Sequence, residues 1–183
     1  MNIHKFNPVQ TTPYKFNQKL KIYFWKLINK TIYRIIPNQI RKPRIWMLRF
    51  FGAEIESSVF IHRNSNIEHP WNLKMGELSS IGEGAWIYCL DKITIGKKCT
   101  IGKNVSLITG SHDIKDLEFK LITKPIVICD GSWITTGVCI LPGVTVSEFS
   151  VISAMSVLDC DTNSFDVYSG FPAKFIKKRN FRL

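Results

Sequence analysis

Aspartate and glutamate are absent from the first 53 residues, which carry eleven lysines and arginines. Residues 54–183 hold fourteen basic and fourteen acidic residues, so the net charge of +11 belongs entirely to the first third. That asymmetry predicts a basic N-terminal leader over 1–53 and a neutral domain over 54–183. No apolar run approaches the ~18 uncharged residues of a membrane span. The opening MNIHKFNPVQ, which holds His4, also lacks the apolar core of a signal peptide, so the expected location is the cytoplasm. Five cysteines, an odd number with no CxxC pair, argue against a disulfide framework or a structural zinc site. They are expected as reduced thiols packed like small apolar residues. Clustered cations attract phosphate, yet no zinc-finger, KH or RNP pattern accompanies them, and no nucleic-acid partner is expected. With 45% hydrophobic residues and a mean hydropathy of +0.01, the chain can bury a core. General disorder and collagen-like repetition are excluded.

The basic segment is amphipathic. Between Lys19 and Ile36 a helical period places Leu20, Phe24, Ile28, Ile32 and Ile35 on one side, widened by Trp25 and Ile36. Lys19, Lys26, Lys30 and Arg34 fall opposite. Pro37 stops this helix, and Pro43 delays a second, short one carrying Trp46, Met47, Leu48, Phe50 and Phe51. Two outcomes fit. Either the stripe packs on the main domain with its lysines in water, or it rests on an anionic membrane through residues 19–51. The second would hold the protein at the inner face of the cytoplasmic membrane.

From residue 55 an aliphatic residue recurs every six positions: Ile55, Ile61, Ile67 and Leu73, then after an offset Ile81 and Ile87. After Ile93 the frame slips by two, giving Ile95, Ile101 and Leu107, and it resumes at Ile128, Ile134, Ile140, Val146, Ile152 and Leu158. Glycine often follows (Gly82, Gly96, Gly102), and a small or branched residue sits four after, as at Ala85, Cys99, Val138 and Ser156. A period of six fits neither a helical stripe nor an alternating hairpin. It predicts a mainly β fold, a triangular prism of short parallel strands with one hexapeptide per face. The repeats pause between Leu107 and Ile126, leaving 113–125 as an insertion that must project outward as a loop.

These hexapeptides resemble the left-handed parallel β-helix acetyltransferases. Asp130-Gly-Ser-Trp-Ile134, Ile140-Leu-Pro-Gly-Val-Thr145 and Gly170-Phe-Pro-Ala-Lys-Phe-Ile-Lys177 are similar to successive signatures of the maltose and galactoside O-acetyltransferase group. Trp46-Met-Leu-Arg-Phe-Phe-Gly-Ala53, Ile93-Thr-Ile-Gly96 and Thr109-Gly-Ser-His-Asp113 resemble the colanic-acid-biosynthesis type within it. The resemblance implies acetyl-CoA-dependent O-acetylation of a sugar in exopolysaccharide or capsule assembly, without a metal. An amino-sugar or small-molecule N-acetyltransferase is the alternative. It also implies a homotrimer with active sites between subunits.

His112 stands at the base of the projecting loop, where the family has its reactive histidine. A neutral imidazole has the basicity to take a hydroxyl proton near pH 7, and its imidazolium can return a proton to the leaving thiolate. Asp113 either orients that imidazole or caps the start of the loop. Ser111 is not expected to act as a nucleophile, because no GxSxG surrounds it. For the acetyl-CoA donor, the resemblance assigns Thr136 and Ala154 to the pantetheine amides, Trp133 to the thioester end, and Lys174 and Lys177 to the phosphates. For the sugar or glycan acceptor, Trp86, Tyr88, Asp91 and the loop around 115–124 are the candidates, since aromatics stack on sugar faces and carboxylates accept from hydroxyls. His62 and His69 are read as surface or corner residues. Two other classes remain. A zinc hydrase resembling γ-class carbonic anhydrases would need three converging histidines, and a non-catalytic scaffold would need neither His112 nor the Pro-Ala-Lys segment.

Overall fold

The computed structural model describes residues 14–181, so His4 lies outside the described residues. From Glu54 the chain winds as a parallel β-solenoid with three flat faces. The first face stacks Glu54–Ile55, Leu73–Met75, Ile93–Ile95, Ile126–Ile128 and Thr145–Val146. The second stacks Phe60–Ile61, Ser80–Ile81, Thr100–Ile101, Trp133–Ile134 and Val151–Ile152. The third stacks Asn66–Ile67, Trp86–Tyr88, Ser106–Ile108, Cys139–Ile140 and Val157–Leu158. Repeat aliphatics meet in register, as Ile61 with Ile81 and Ile67 with Ile87, and all are buried along the axis. The small residues four positions on are buried at the corners. The glycines are steric: a Cβ at Gly82 or Gly102 would stand 2.8 Å from the backbone of the next coil.

The frame slips belong to the first face. Its strands Leu73–Met75, Ile93–Ile95 and Ile126–Ile128 bury both end residues. Ile55 therefore pairs with Met75, twenty positions on, whereas Ile128 pairs with Val146, eighteen on. At the C-terminal end, Asp166–Gly170 joins the second face and turns back antiparallel as Ala173–Lys178.

A solenoid exposes unpaired backbone at its first coil, an edge that must be covered. Three helices cover it: α1 (Phe16–Lys30), α2 (Ile32–Ile35) and α3 (Arg41–Phe50). Each face receives one donor. Arg49 Nε donates to the Ile55 carbonyl at 2.7 Å, Arg44 Nη2 to Ile61 at 3.2 Å, and Trp25 Nε1 to Ile67 at 2.6 Å. The three acceptors are successive hexapeptide positions. Trp25, Tyr33, Ile45 and Leu48 extend the axial core into the helices.

This cap corrects the expected helix face. Of the predicted stripe, Trp25 is buried and Ile28 packs on the core, whereas Leu20, Phe24, Ile32 and Ile35 are exposed; Asn29 and Tyr33, outside the stripe, are buried. Both sides of α1 are apolar, and the side that packs is the one bearing a donor for the Ile67 carbonyl. The helix also breaks at Thr31, whose hydroxyl donates to the Leu27 carbonyl at 2.6 Å. The cysteines are free, and Cys89 and Cys99 are buried, but Cys160 is exposed on a bend rather than packed.

Candidate active site

The insertion leaves the corner between the third and first faces as a two-stranded hairpin. Gly110–His112 pairs antiparallel with Leu121–Thr123, setting His112 opposite Leu121. The loop between them folds on itself: Lys120 bridges Asp116 and Glu118, each at 3.3 Å. His112 Nδ1 lies 2.6 Å from the Phe119 carbonyl, and its ring stacks on the Phe119 ring at 4.5 Å and 7°. A carbonyl only accepts, so in the neutral imidazole Nδ1 carries the proton and Nε2 has the lone pair. Phe119 holds φ at 53°, a left-handed conformation unusual for a bulky residue. Residue-type reasoning passed over Phe119, because the orienting atom is a main-chain carbonyl. Of the two readings of Asp113, the geometry matches the loop cap: its carboxylate accepts from the Lys115 N–H at 2.9 Å.

The same corner holds a cavity of about 510 Å3 between α1 and the first coils. Tyr14, Lys19, Tyr23 and Lys26 line the helix side, with Glu68, His69 and Tyr88 on the coil side. Leu121, across the hairpin from His112, closes one wall. Of the acceptor candidates, Tyr88 lines the cavity. Trp86 instead donates from Nε1 to Glu68 Oε1 at 2.7 Å, holding that carboxylate in place. Asp91 does not line the cavity, and its carboxylate accepts from the Lys92 N–H at 2.7 Å. Of the two expected placements of His69, surface or corner, it takes the corner between the third and first faces, where it is buried. Burial, with Lys26 adding, pushes its imidazole down to about 4, and its Nδ1 has no partner among the described residues. The signal for this lay in α1, which covers the corner where His69 sits.

The donor candidates occupy a different edge. Trp133, half-exposed on the second face, is in register with Val151, Val167 and then Lys177 on the terminal hairpin. Thr136 and Ala154 are exposed turn residues eighteen apart, stacked at the corner between the second and third faces. The Met155 N–H donates to the Thr136 carbonyl across them at 3.0 Å. Lys174 and Lys177 are exposed on Ala173–Lys178 and face no carboxylate among the described residues, whereas Lys178 is paired with Asp166. Trp133 and Lys177 thus share a register row of the second face, with Thr136 and Ala154 at the corner that follows it, whereas His112 leaves the prism at the corner between the third and first faces. His62 sits at the corner after Phe60–Ile61, apart from His69 and His112. No three histidine, cysteine or carboxylate side chains cluster to hold a metal ion among the described residues.

No profile of a known protein family matches the chain. Over 160 residues it is 34% identical to WcaF of Escherichia coli (strain K12), named for a colanic acid biosynthesis acetyltransferase. The match spans 87% of this chain and 88% of WcaF. Solved structures share the fold. The hexapeptide-repeat acetyltransferase VCA0836 of Vibrio cholerae, complexed with acetyl-coenzyme A, matches with a TM-score of 0.80 at 23% identity. That match covers 99% of this chain and 100% of that one. A galactoside acetyltransferase in complex with coenzyme A matches with a TM-score of 0.82 at 22% identity, covering 92% and 86%.

Proposed function

The chain belongs to the hexapeptide-repeat acetyltransferases, and from that premise we propose that it moves an acetyl group from acetyl-CoA to a sugar hydroxyl of an exopolysaccharide or capsule glycan. One observation supports the mechanism: His112 Nδ1 lies 2.6 Å from the Phe119 carbonyl, a contact that favours the neutral tautomer with its proton on Nδ1 and leaves Nε2 to act as the base. The acceptor hydroxyl gives its proton to Nε2 as its oxygen attacks the thioester carbon. The tetrahedral intermediate collapses, the C–S bond breaks, and the imidazolium returns the proton to the thiolate. The products are the acetyl ester and free coenzyme A. No acyl-enzyme forms, so Ser111 has no covalent role. The acceptor enters the cavity beside Tyr88, Glu68 and His69, where an aromatic face and a held carboxylate suit a sugar.

The strip from Trp133 to Lys177 suits the donor. Three strand spacings separate those residues, about 14 Å, with an indole at one end and unpaired ammonium groups at the other. Ammonium groups are point charges fit for phosphates. Donor strip and base lie on different edges of one prism, which favours a homotrimer whose sites are each built from two chains. Mixing His112→Ala with Lys174→Ala protein tests this. Mixed trimers are expected to recover activity, because some interfaces pair an intact histidine with an intact lysine. No recovery after confirmed subunit exchange would refute the shared site. His112→Ala alone is expected to lower kcat by about three orders of magnitude with acetyl-CoA binding unchanged. Acetyl-CoA consumption against a panel of sugars, sugar nucleotides and oligosaccharides would identify the acceptor.

A further inference from the structure

We infer that the outer face of α1 docks the protein on an anionic lipid surface. At 100° per residue, Phe16, Leu20, Tyr23, Phe24 and Leu27 fall within an arc of about 100°. That arc lies opposite Trp25 and Asn29, the side packed on the first coil. The five residues are between 46% and 78% exposed, a continuous stripe rather than scattered positions. Lys15, Lys19, Lys26 and Lys30 line one flank of the stripe, all exposed. No cation from Lys15 to Arg49 pairs with a carboxylate among the described residues. A second aromatic pair stands on α3, where Trp46 and Phe50 are exposed and stack at 5.7 Å.

The charge decides the occupant. A second copy meeting this face through its own α1 would set these unpaired lysines against a segment with eleven lysines and arginines and no acidic residue, a repulsive match. A bilayer with anionic headgroups offers the opposite sign beside an apolar layer, which suits aromatic and aliphatic side chains next to lysines. The helix lies in the plane of such a surface rather than crossing it, for no described helix is long and apolar enough to cross a membrane. Lys19, Tyr23 and Lys26 also line the cavity beside Leu121, so docking brings its mouth to the headgroup layer. The inference does not depend on the catalytic reading, and its test reads binding rather than turnover.

The full chain is to be sedimented with vesicles of phosphatidylglycerol and phosphatidylethanolamine, and with vesicles of phosphatidylcholine alone. Binding is expected to the first and to be at least about tenfold weaker on the second. It should fall as salt rises from about 0.1 M to 1 M, where the screening length drops from about 10 Å to about 3 Å. Leu20→Ser/Phe24→Ser/Leu27→Ser is expected to lose binding tenfold or more at an unchanged circular dichroism spectrum. If that variant fails to fold, Lys15→Gln/Lys30→Gln carries the test, with about a fivefold loss per lysine on anionic vesicles only. Absence of wild-type binding to the anionic vesicles overturns the inference. So does a triple variant that binds equally well while its mass by light scattering drops, for then a second copy covers the face.

Discussion

Trp25→Phe tests whether the helices stabilise the solenoid by satisfying its open edge. The indole is fully buried, and its N–H meets the Ile67 carbonyl at 2.6 Å. Phenylalanine keeps an aromatic ring against Tyr33 and Phe51, whose centroids lie 5.9 and 5.1 Å away. Two losses remain. Leaving the Ile67 carbonyl buried without a donor costs about 1–3 kcal/mol. The cavity left by the smaller ring adds about 1 kcal/mol. The sum, about 2–4 kcal/mol, should lower the melting temperature by roughly 5–15 °C in a chain of this size. Thermal unfolding followed by circular dichroism measures it, at matched protein concentration because the proposed self-association would enter the midpoint. A loss below about 1 kcal/mol would show that the bond contributes nothing and that the helices hold by apolar packing alone.

Phe119→Ala removes the ring stacked on His112 and makes the φ of 53° no easier to hold, so kcat should fall about tenfold with the KM for acetyl-CoA unchanged. An equal rise in KM would instead assign Phe119 to donor binding. Lys174→Ala should raise the KM for acetyl-CoA; if it discriminates dephospho-CoA as the wild type does, Lys174 does not read that phosphate. His69, whose imidazole burial pushes down to about 4, stays neutral in the folded state. Its unfolded form takes up a proton below about pH 6.5, so stability present above that pH is lost as pH falls toward 4, by at most about 3 kcal/mol. His69→Gln should lose less stability than wild type between neutral pH and pH 4.5, and equal losses would remove His69 from the acid response.

The prism was legible because its period is set by geometry that each residue must satisfy: an inward aliphatic, a tight corner, and glycine where backbones stack. Even the frame slips were visible, although only the fold assigns them to first-face strands with two inward residues. The helical face was not legible, because α1 is apolar on both sides and periodicity cannot choose between them. The choice falls to a donor, the Trp25 N–H, answering a carbonyl at the solenoid's edge. The place of His112 at the root of the hairpin was legible because an insertion interrupts the repeat at its position. Its partner was not, since a main-chain carbonyl leaves no mark on residue type. Position within the repeat does, however, name the corner from which a residue leaves the prism. His112 follows a third-face strand, whereas Thr136 and Ala154 follow second-face strands. One full face therefore separates His112, the proposed base, from Thr136 and Ala154, two of the proposed donor contacts, in a single chain. Transfer requires the acetyl carbon and the acceptor oxygen to meet within bonding reach, and this separation is the ground for proposing that a second copy completes the site.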